Sequence, residues 1–336
     1  MRLRILVLLL PALAACGEQR LEQLELAGNA LGTTFKVAVV EPAEDLDDEA
    51  LRAAIIGALA HVDRVASTWR EDSELSAFNA HDSTQWFPVS ADLCSALADA
   101  LGVAQLTNGA FDMTVGPLVN LWGFGPDGPV TEPPPDSAIA AALQHIGFAK
   151  LHTDCEQGVA RKDDAALYVD LSGWAKGQAV DALAELLDAN RITNYLVEVG
   201  GELRVRGHNS ERLKWAVAIE APSTSERVPQ AIIRITDTSV ATSGDYRNYF
   251  SFGGSNYSHT IDPRTGWPVA HNLAAVTVVH PVNAFADAMA TALLVLGPQA
   301  GPSLAEDLGI AAYFLVRQPT GIEEIVTPEF ERLSTS

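Results

Sequence analysis

Positive charge is what this 336-residue chain has least of: 22 Lys and Arg stand against 43 Asp and Glu, for a formal net charge of −21. A surface so acidic repels polyanions, which excludes nucleic acid and anionic lipid headgroups as partners of the folded body. A phosphorylated ligand is not excluded, because a cation or a helix N-terminus inside one cleft can reverse the local potential. No segment reaches 18 uninterrupted apolar residues, so none reads as a membrane-spanning helix. Internal repeats and Pro/Gly-rich linkers are missing too, so a single large unit or two closely packed subdomains is expected. Cysteine is scarce, at positions 16, 94 and 155 only.

The chain opens MRLRILVLLLPALAAC, with two arginines, a short apolar run from Ile5 to Leu10 and then Leu13-Ala14-Ala15-Cys16. That order is the pattern of an export signal. LAAC resembles the lipobox of bacterial lipoproteins. The resemblance implies a signal peptide over 1–15, a lipid on the Cys16 sulfur, a tether over 16–25 and a folded domain over 26–336. The protein would then be a membrane-anchored lipoprotein facing the periplasm or the cell exterior, held through its lipid alone. In that oxidising setting Cys94 and Cys155 either pair, which would contribute about 4 kcal/mol through loop closure, or stay as two buried free thiols.

Hydrophobic period and turn chemistry divide the rest. Leu24 to Val40 reads as a strand broken at Gly28 and Gly32, and Asp45 to Ser67 as an amphipathic helix. Further helices are expected from about Ser90 to Thr107 and from Asp136, after Pro133-Pro134-Pro135. The stretch GAFDMTVGPLVNLWGFGPDGP holds too many glycines and prolines for a regular element. ALYVDL reads as a strand, SGWAKG as a turn and Gln178 to Asp188 as a helix. Strands are expected at Tyr195–Val199, Leu203–Arg206, Lys214–Ile219, Ala231–Ile235 and Val276–His280. Helices and strands interleave without strict alternation, so the expected class is α+β: mixed sheets with packed helices.

Three places carry chemistry. In NAFADAMATALLVLG, Asp287 and Thr291 stand four apart in a helical pattern, which puts their Cβ atoms about 5–6 Å apart on one face. A carboxylate and a hydroxyl at that spacing suit a hard cation such as Mg²⁺, which takes oxygen ligands and completes its shell with water and phosphate. By themselves they also suit an incidental polar face. In YVDLSGWAKGQAVD, Asp170 lies near a strand end and Lys176 in the first turns of the following helix. There, free amides, the helix dipole and an ammonium can cradle a diphosphate. It is not a P-loop, since the glycine spacing differs and no Lys-Ser/Thr pair follows. In YSHTIDPRTGWPV, His259 is expected on a strand that precedes a turn at Asp262–Gly266, and it has the pKa range for proton transfer. Thr242–Asp245 and Gly200-Gly201 are turn signals that can bring amides to a ligand or simply bend the chain. Asp72 or Ser73 reads as an N-cap, and Phe111, Trp122 and Phe124 as core aromatics.

Taken in order, GTTF at 32–35, STWREDSELSAFN at 67–79, GAFDMTVGPLVNLWGFG at 109–125, DLSGWAKGQAVD at 170–181, VEVGGELRVRG at 197–207, ATSGDY at 241–246, HTIDPRTGWP at 259–268 and ADAMATALLVLG at 286–297 resemble the successive blocks of the FAD:protein FMN transferase (ApbE) family. The resemblance implies Mg²⁺-dependent transfer of the FMN half of FAD to a Thr or Ser hydroxyl, with release of AMP. The acceptors would be extracytoplasmic FMN-binding domains of redox proteins. It places Mg²⁺ on Asp287, Thr291 and the Gly173 carbonyl. FAD would contact Leu31, Trp69, Ala110, Phe111, Asp112, Asp170, Lys176 and Ile261. His259 is the candidate base for the incoming hydroxyl, with Asp262 or Asp245 in reserve. Leu31 stands where the family often has Met, Trp69 where Tyr is common, and Ala290 where some members carry another carboxylate. Two other activities would use the same residues: FAD pyrophosphatase, giving FMN and AMP, and a non-catalytic flavin-binding lipoprotein.

Overall fold

The structure, a computed structural model, describes residues 20–222, 228–246 and 248–334. The lipidation candidate Cys16 and the whole expected signal peptide lie outside the described residues. Eight strands make one sheet whose spatial order follows the chain: β1 (Gln23–Ala30), β2 (Thr33–Val40), β3 (Tyr195–Val199), β4 (Glu202–Arg206), β5 (Thr238–Gly244), β6 (Leu273–His280), β7 (Ala311–Gln318) and β8 (Gly321–Val326). Every neighbouring pair is antiparallel. The helices are insertions into this meander. α1 (Asp48–Ala66), α2 (Glu74–Ala80), α3 (Ala91–Leu106), α4 (Gly116–Leu121), α5 (Asp136–Leu143) and α6 (Ser172–Ala189) lie between β2 and β3; α7 (Asn283–Asp307) joins β6 to β7, and α8 (Pro328–Ser334) follows β8. The expected α+β class holds.

Strand alternation sorts the core onto both faces of the sheet. Val37 and Val39 of β2 pack with α1 and α6. Ala38 and Val40, one residue out of phase, pack on the opposite face with Trp215, Val217 and Ile233 of a separate hairpin, Trp215–Glu220 with Pro229–Ile235. The β1–β2 turn falls at Leu31 and Gly32, both at left-handed φ (48° and 70°), as a two-residue hairpin loop requires. The break expected at Gly28 does not occur. Gly28 pairs with Phe35 in the ladder, and a Cβ there would come within 2.7 Å of the Phe35 ring, so the glycine makes room for an aromatic cover. Folded chain also begins inside the stretch expected as tether: the Leu21 N–H donates to Ser210 O at 2.8 Å, and β1 starts at Gln23. That start and the Leu31 turn are the opposite ends of β1.

Three other expectations change. GAFDMTVGPLV is more regular than its composition suggests, with a 3₁₀ turn at Met113–Val115 running into α4; Pro117 stands in the first turn, where its missing N–H costs nothing. ALYVDL is not a ladder strand, because its partner is a side chain. The Asn79 amide accepts from the Val169 N–H and donates to the Val169 carbonyl, both at 2.8 Å, and the Asp170 N–H donates to Met113 O at 2.7 Å. SGWAKG is not a turn, since α6 begins at Ser172. Glycines 173 and 177 lower its propensity by roughly 1 kcal/mol each, a cost that tertiary packing overrides. Cys94 and Cys155 are joined in a disulfide with a sequence separation of 61, which ties α3 to the turn between the strands Leu151–Asp154 and Val159–Lys162.

At Gly177, α6 meets the backbone of α7. A Cβ there would lie 2.5 Å from Asn283 O and 2.6 Å from Ala284 Cα, and both of those are backbone atoms that cannot rotate away. Gly177→Ala should therefore cost about 1–3 kcal/mol through overpacking. The check is the denaturation midpoint; an unchanged midpoint would show that the two helices can part freely.

Candidate active site

A cleft of about 940 Å³ opens at the end of the sheet that carries the β1–β2 turn. It is walled by that turn, the Gly200–Glu202 corner between β3 and β4, the end of β5, the loop after α3, the first turns of α6 and the first half of α7. Leu31, Trp69, Ala110, Phe111, Asp112, Asp170, Gly173, Lys176, His259, Ile261, Asp287 and Thr291 all line it. Residues spread over 260 positions thus meet in one space.

Its polar floor is made by the α6–α7 contact. The Lys176 Nζ donates to both Asp287 oxygens, at 3.2 and 3.1 Å, and the Gly177 N–H donates to Asp287 Oδ2 at 3.1 Å. One turn further along α7, the Thr291 hydroxyl lies 3.0 Å from the Ser243 hydroxyl at the end of β5. Gly173 faces that hydroxyl, since a Cβ there would sit 3.5 Å from Thr291 Oγ1. The first stretch of α7 ends at Gly297, which has φ 82° and is followed by Pro298, so both side chains stand on uninterrupted helix.

Glu202, which the sequence reading passed over, is the other half of the floor. It is 2% exposed, its Oε1 lies 2.9 Å from Lys176 Nζ, and its Oε2 accepts from the Thr242 N–H at 3.0 Å. Burial, reinforced by the Asp287 charge, pushes the Glu202 carboxyl up to about 7 against the pull of Lys176. Burial opposes the charge on Lys176, but the two carboxylates outweigh it and raise the ammonium above its usual value. The available signal was the acid directly after Gly200-Gly201. At Gly200, with φ 61°, a Cβ would crowd Thr33 and come within 3.2 Å of Lys176 Cδ, so that corner is shaped around the lysine stem.

The remaining walls are set locally. Thr107 closes α3 and its hydroxyl accepts from the Phe111 N–H at 3.2 Å, while Asn108 and Gly109 turn the loop with φ 49° and 77°. The Asp112 carboxylate is fully engaged by Thr114 and the Phe148 N–H, so it fixes the loop's shape. Asp170 Oδ1 accepts from the Ser172 N–H at 2.8 Å, and burial raises its pKa. Ser73 is the α2 N-cap, accepting from the Ser76 N–H at 3.0 Å, whereas Asp72 pairs with Arg70. This places Trp69, 64% exposed, at the cleft mouth. Trp122, read as core, is indeed fully buried.

His259 lies just past the strand Ser255–Ser258 rather than on it. Its Nδ1 is 3.1 Å from the Asn248 carbonyl, which accepts only from a protonated Nδ1, so that tautomer leaves Nε2 as a free base. Burial lowers its pKa. The two carboxylates held in reserve do not line the cleft. Asp245 is clamped by Arg317 at 2.6 and 2.7 Å, and Asp262 by Arg264 at 2.8 Å through both oxygens; each is consumed by its ion pair.

The sequence model of the ApbE family matches residues 31–314. This chain belongs to the ApbE family. It is 41% identical over 319 residues to the FAD:protein FMN transferase of Vibrio cholerae, covering 95% of both chains. It is 38% identical over 314 residues to the one from Escherichia coli K12, covering 93% of this chain and 89% of that one. Among solved structures, the flavin transferase ApbE from Vibrio cholerae superposes with TM-score 0.87 at 39% identity, over 93% of this chain and 99% of that one. The apo flavinyl transferase ApbE of Pseudomonas stutzeri gives 0.86 at 37% identity, over 95% and 99%. Among the described residues no group of three His, Cys, Asp or Glu side chains is placed to hold a metal. In this ApbE chain the oxygens nearest the α6–α7 contact come from the Asp287 and Glu202 carboxylates and the Thr291 and Ser243 hydroxyls.

Proposed function

We propose that this chain transfers the FMN half of FAD to a threonine or serine hydroxyl of an acceptor protein and releases AMP. The observation that carries the proposal is the pairing, in one cleft, of an oxygen-rich floor (Asp287, Thr291, Ser243 and Glu202 around the Lys176 ammonium) with a histidine whose Nδ1 is taken by a backbone carbonyl, leaving Nε2 as the base. The relatives are FAD:protein FMN transferases, which names the nucleotide, and a cleft of about 940 Å³ is offered to it.

The residues divide the work. Ala110, Phe111 and Ile261 give an apolar wall, and the exposed Trp69 offers a stacking face at the mouth. The Lys176 ammonium, kept charged by its acids, attracts the diphosphate and stabilises the leaving phosphate. His259 takes the proton of the incoming hydroxyl. The new bond joins the acceptor oxygen to the FMN phosphorus, the bond from that phosphorus to the AMP phosphate oxygen breaks, and AMP leaves with the electron pair. The donor set is compatible with Mg²⁺: Asp287 and Thr291 would hold it with the Gly173 carbonyl, in a floor where two buried carboxylates face one ammonium. When bound, such an ion supplies charge neutralisation on the diphosphate. A single carboxylate suffices because Mg²⁺ keeps several waters and takes phosphate oxygens.

The chain, FAD, Mg²⁺ and an FMN-binding domain, incubated together, should leave flavin fluorescence on the denatured acceptor, and EDTA should abolish it. Free FMN and AMP with an unlabelled acceptor would establish a pyrophosphatase, and unchanged FAD a carrier. His259→Ala should slow transfer 10²–10⁴-fold, the usual loss of a general base; a near wild-type rate removes it from the mechanism. Because its folded pKa is lowered from 6.5, the base form is full at neutral pH and is lost only on acidification. The acidic limb of kcat/KM should therefore fall below pH 6.5 and disappear in the variant.

We also propose that the acceptors are extracytoplasmic and that Cys16 carries a lipid. No helix among the described residues is long and apolar enough to cross a membrane. Radiolabelled palmitate should enter the wild-type chain and not Cys16→Ser; equal labelling would refute the anchor.

A further inference from the structure

The Lys176 ammonium has two acid partners where one would balance it. Its Nζ lies 2.9 Å from Glu202 Oε1 and 3.1 Å from Asp287 Oδ2, and the two acid side chains are 3% and 2% exposed. Glu202 cannot swing away, because the Thr242 N–H holds its second oxygen. The lysine stem is confined where it passes Gly200. Asp287 meets Lys176 with both oxygens, and the Gly177 N–H holds only its Oδ2. A divalent ion on Asp287 competes with the ammonium for the same lone pairs, and two cations that close repel beside carboxylates that are themselves buried. Lysine left there with no second acid would be a half-buried charge, its side chain 32% exposed, with no partner to hold it at the floor of the cleft. The cluster of Lys176, Glu202 and Asp287 is therefore built with a spare acid.

We propose that Glu202 is the standby counter-ion of Lys176: it keeps the ammonium in place when a divalent cation claims Asp287, so that lysine and metal can act on the diphosphate together. Glu202 is a positioning residue, acting through Lys176. The inference rests on the reading that Asp287 and Thr291 hold the cation.

The test is a double-mutant cycle on cation affinity without nucleotide, using Mn²⁺ as the probe at pH 8 and following free Mn²⁺ by electron paramagnetic resonance. Glu202→Gln should weaken Mn²⁺ about tenfold or more, since Lys176 is then left with Asp287 alone. Lys176→Met should bind tighter than wild type, and adding Glu202→Gln to it should cost less than about threefold. An equal loss in both backgrounds, or no loss in either, overturns the inference, because Glu202 then acts directly or not at all. A wild-type chain with no Mn²⁺ site that Asp287→Asn abolishes overturns both this inference and the metal reading; a normal wild-type site with a flat cycle overturns this inference only. Should Glu202→Gln fail to fold by circular dichroism, Glu202→Asp replaces it. Its shorter carboxylate cannot span Thr242 and Lys176, and its loss should likewise require Lys176.

Discussion

The contact of α6 with α7 at Gly177 is the constraint on which the rest of the structure depends. Two helices that meet backbone to backbone cannot slide or rotate without a clash, so the side chains flanking the contact are fixed relative to one another. Gly173 and Lys176 stand on one side of it, Asp287 and Thr291 on the other. The Gly177 N–H completes the junction by binding the Asp287 carboxylate. Packing and chemistry are thus set by the same atom positions, and the two glycines that weaken α6 as an isolated helix are what allow its first turns to reach the neighbouring helix.

Around this junction the meander works as a frame. Sequential strands pair side by side, so distant parts of the chain reach one end of the sheet at predictable places: the β1–β2 turn, the β3–β4 corner and the end of β5. The insertion between β2 and β3 supplies the aromatic and apolar walls, and the hairpin after β5 supplies His259. Loops with left-handed residues carry these groups, as at Asn108-Gly109 and Gly200-Gly201, while Asp287 and Thr291 stand on helix. The division is physical, because loops can bring backbone close to a ligand whereas helices hold two side chains at a fixed spacing.

Much of the site was legible because its residues come as spaced pairs or as turn chemistry. Asp287 and Thr291 are one helical turn apart, and that periodicity survives in any helix. Lys176 was recognisable from its place after a short segment ending in an acid. What could not be read depends on contacts between distant residues. Asn79 stands in for a strand against Val169, across 90 positions, so ALYVDL resembles a ladder strand in sequence without being one. SGWAKG reads as a turn by composition, and only the crossing of α7 makes it helix. Glu202 carries no local mark of burial, since its partner Lys176 lies on another element. Asp245 and Asp262 look available as bases until Arg317 and Arg264 are seen to take them.

The first strand crosses the whole depth of the sheet. An eight-residue strand is roughly 25 Å long, with Gln23 at one extremity and the Leu31 corner of the cleft at the other. A pull or attachment exerted through residues before Gln23 acts on the extremity farthest from the mouth. Such a load passes along the β1–β2 ladder before it reaches the Leu31 corner, so the lining of the cleft is insulated from strain at Gln23.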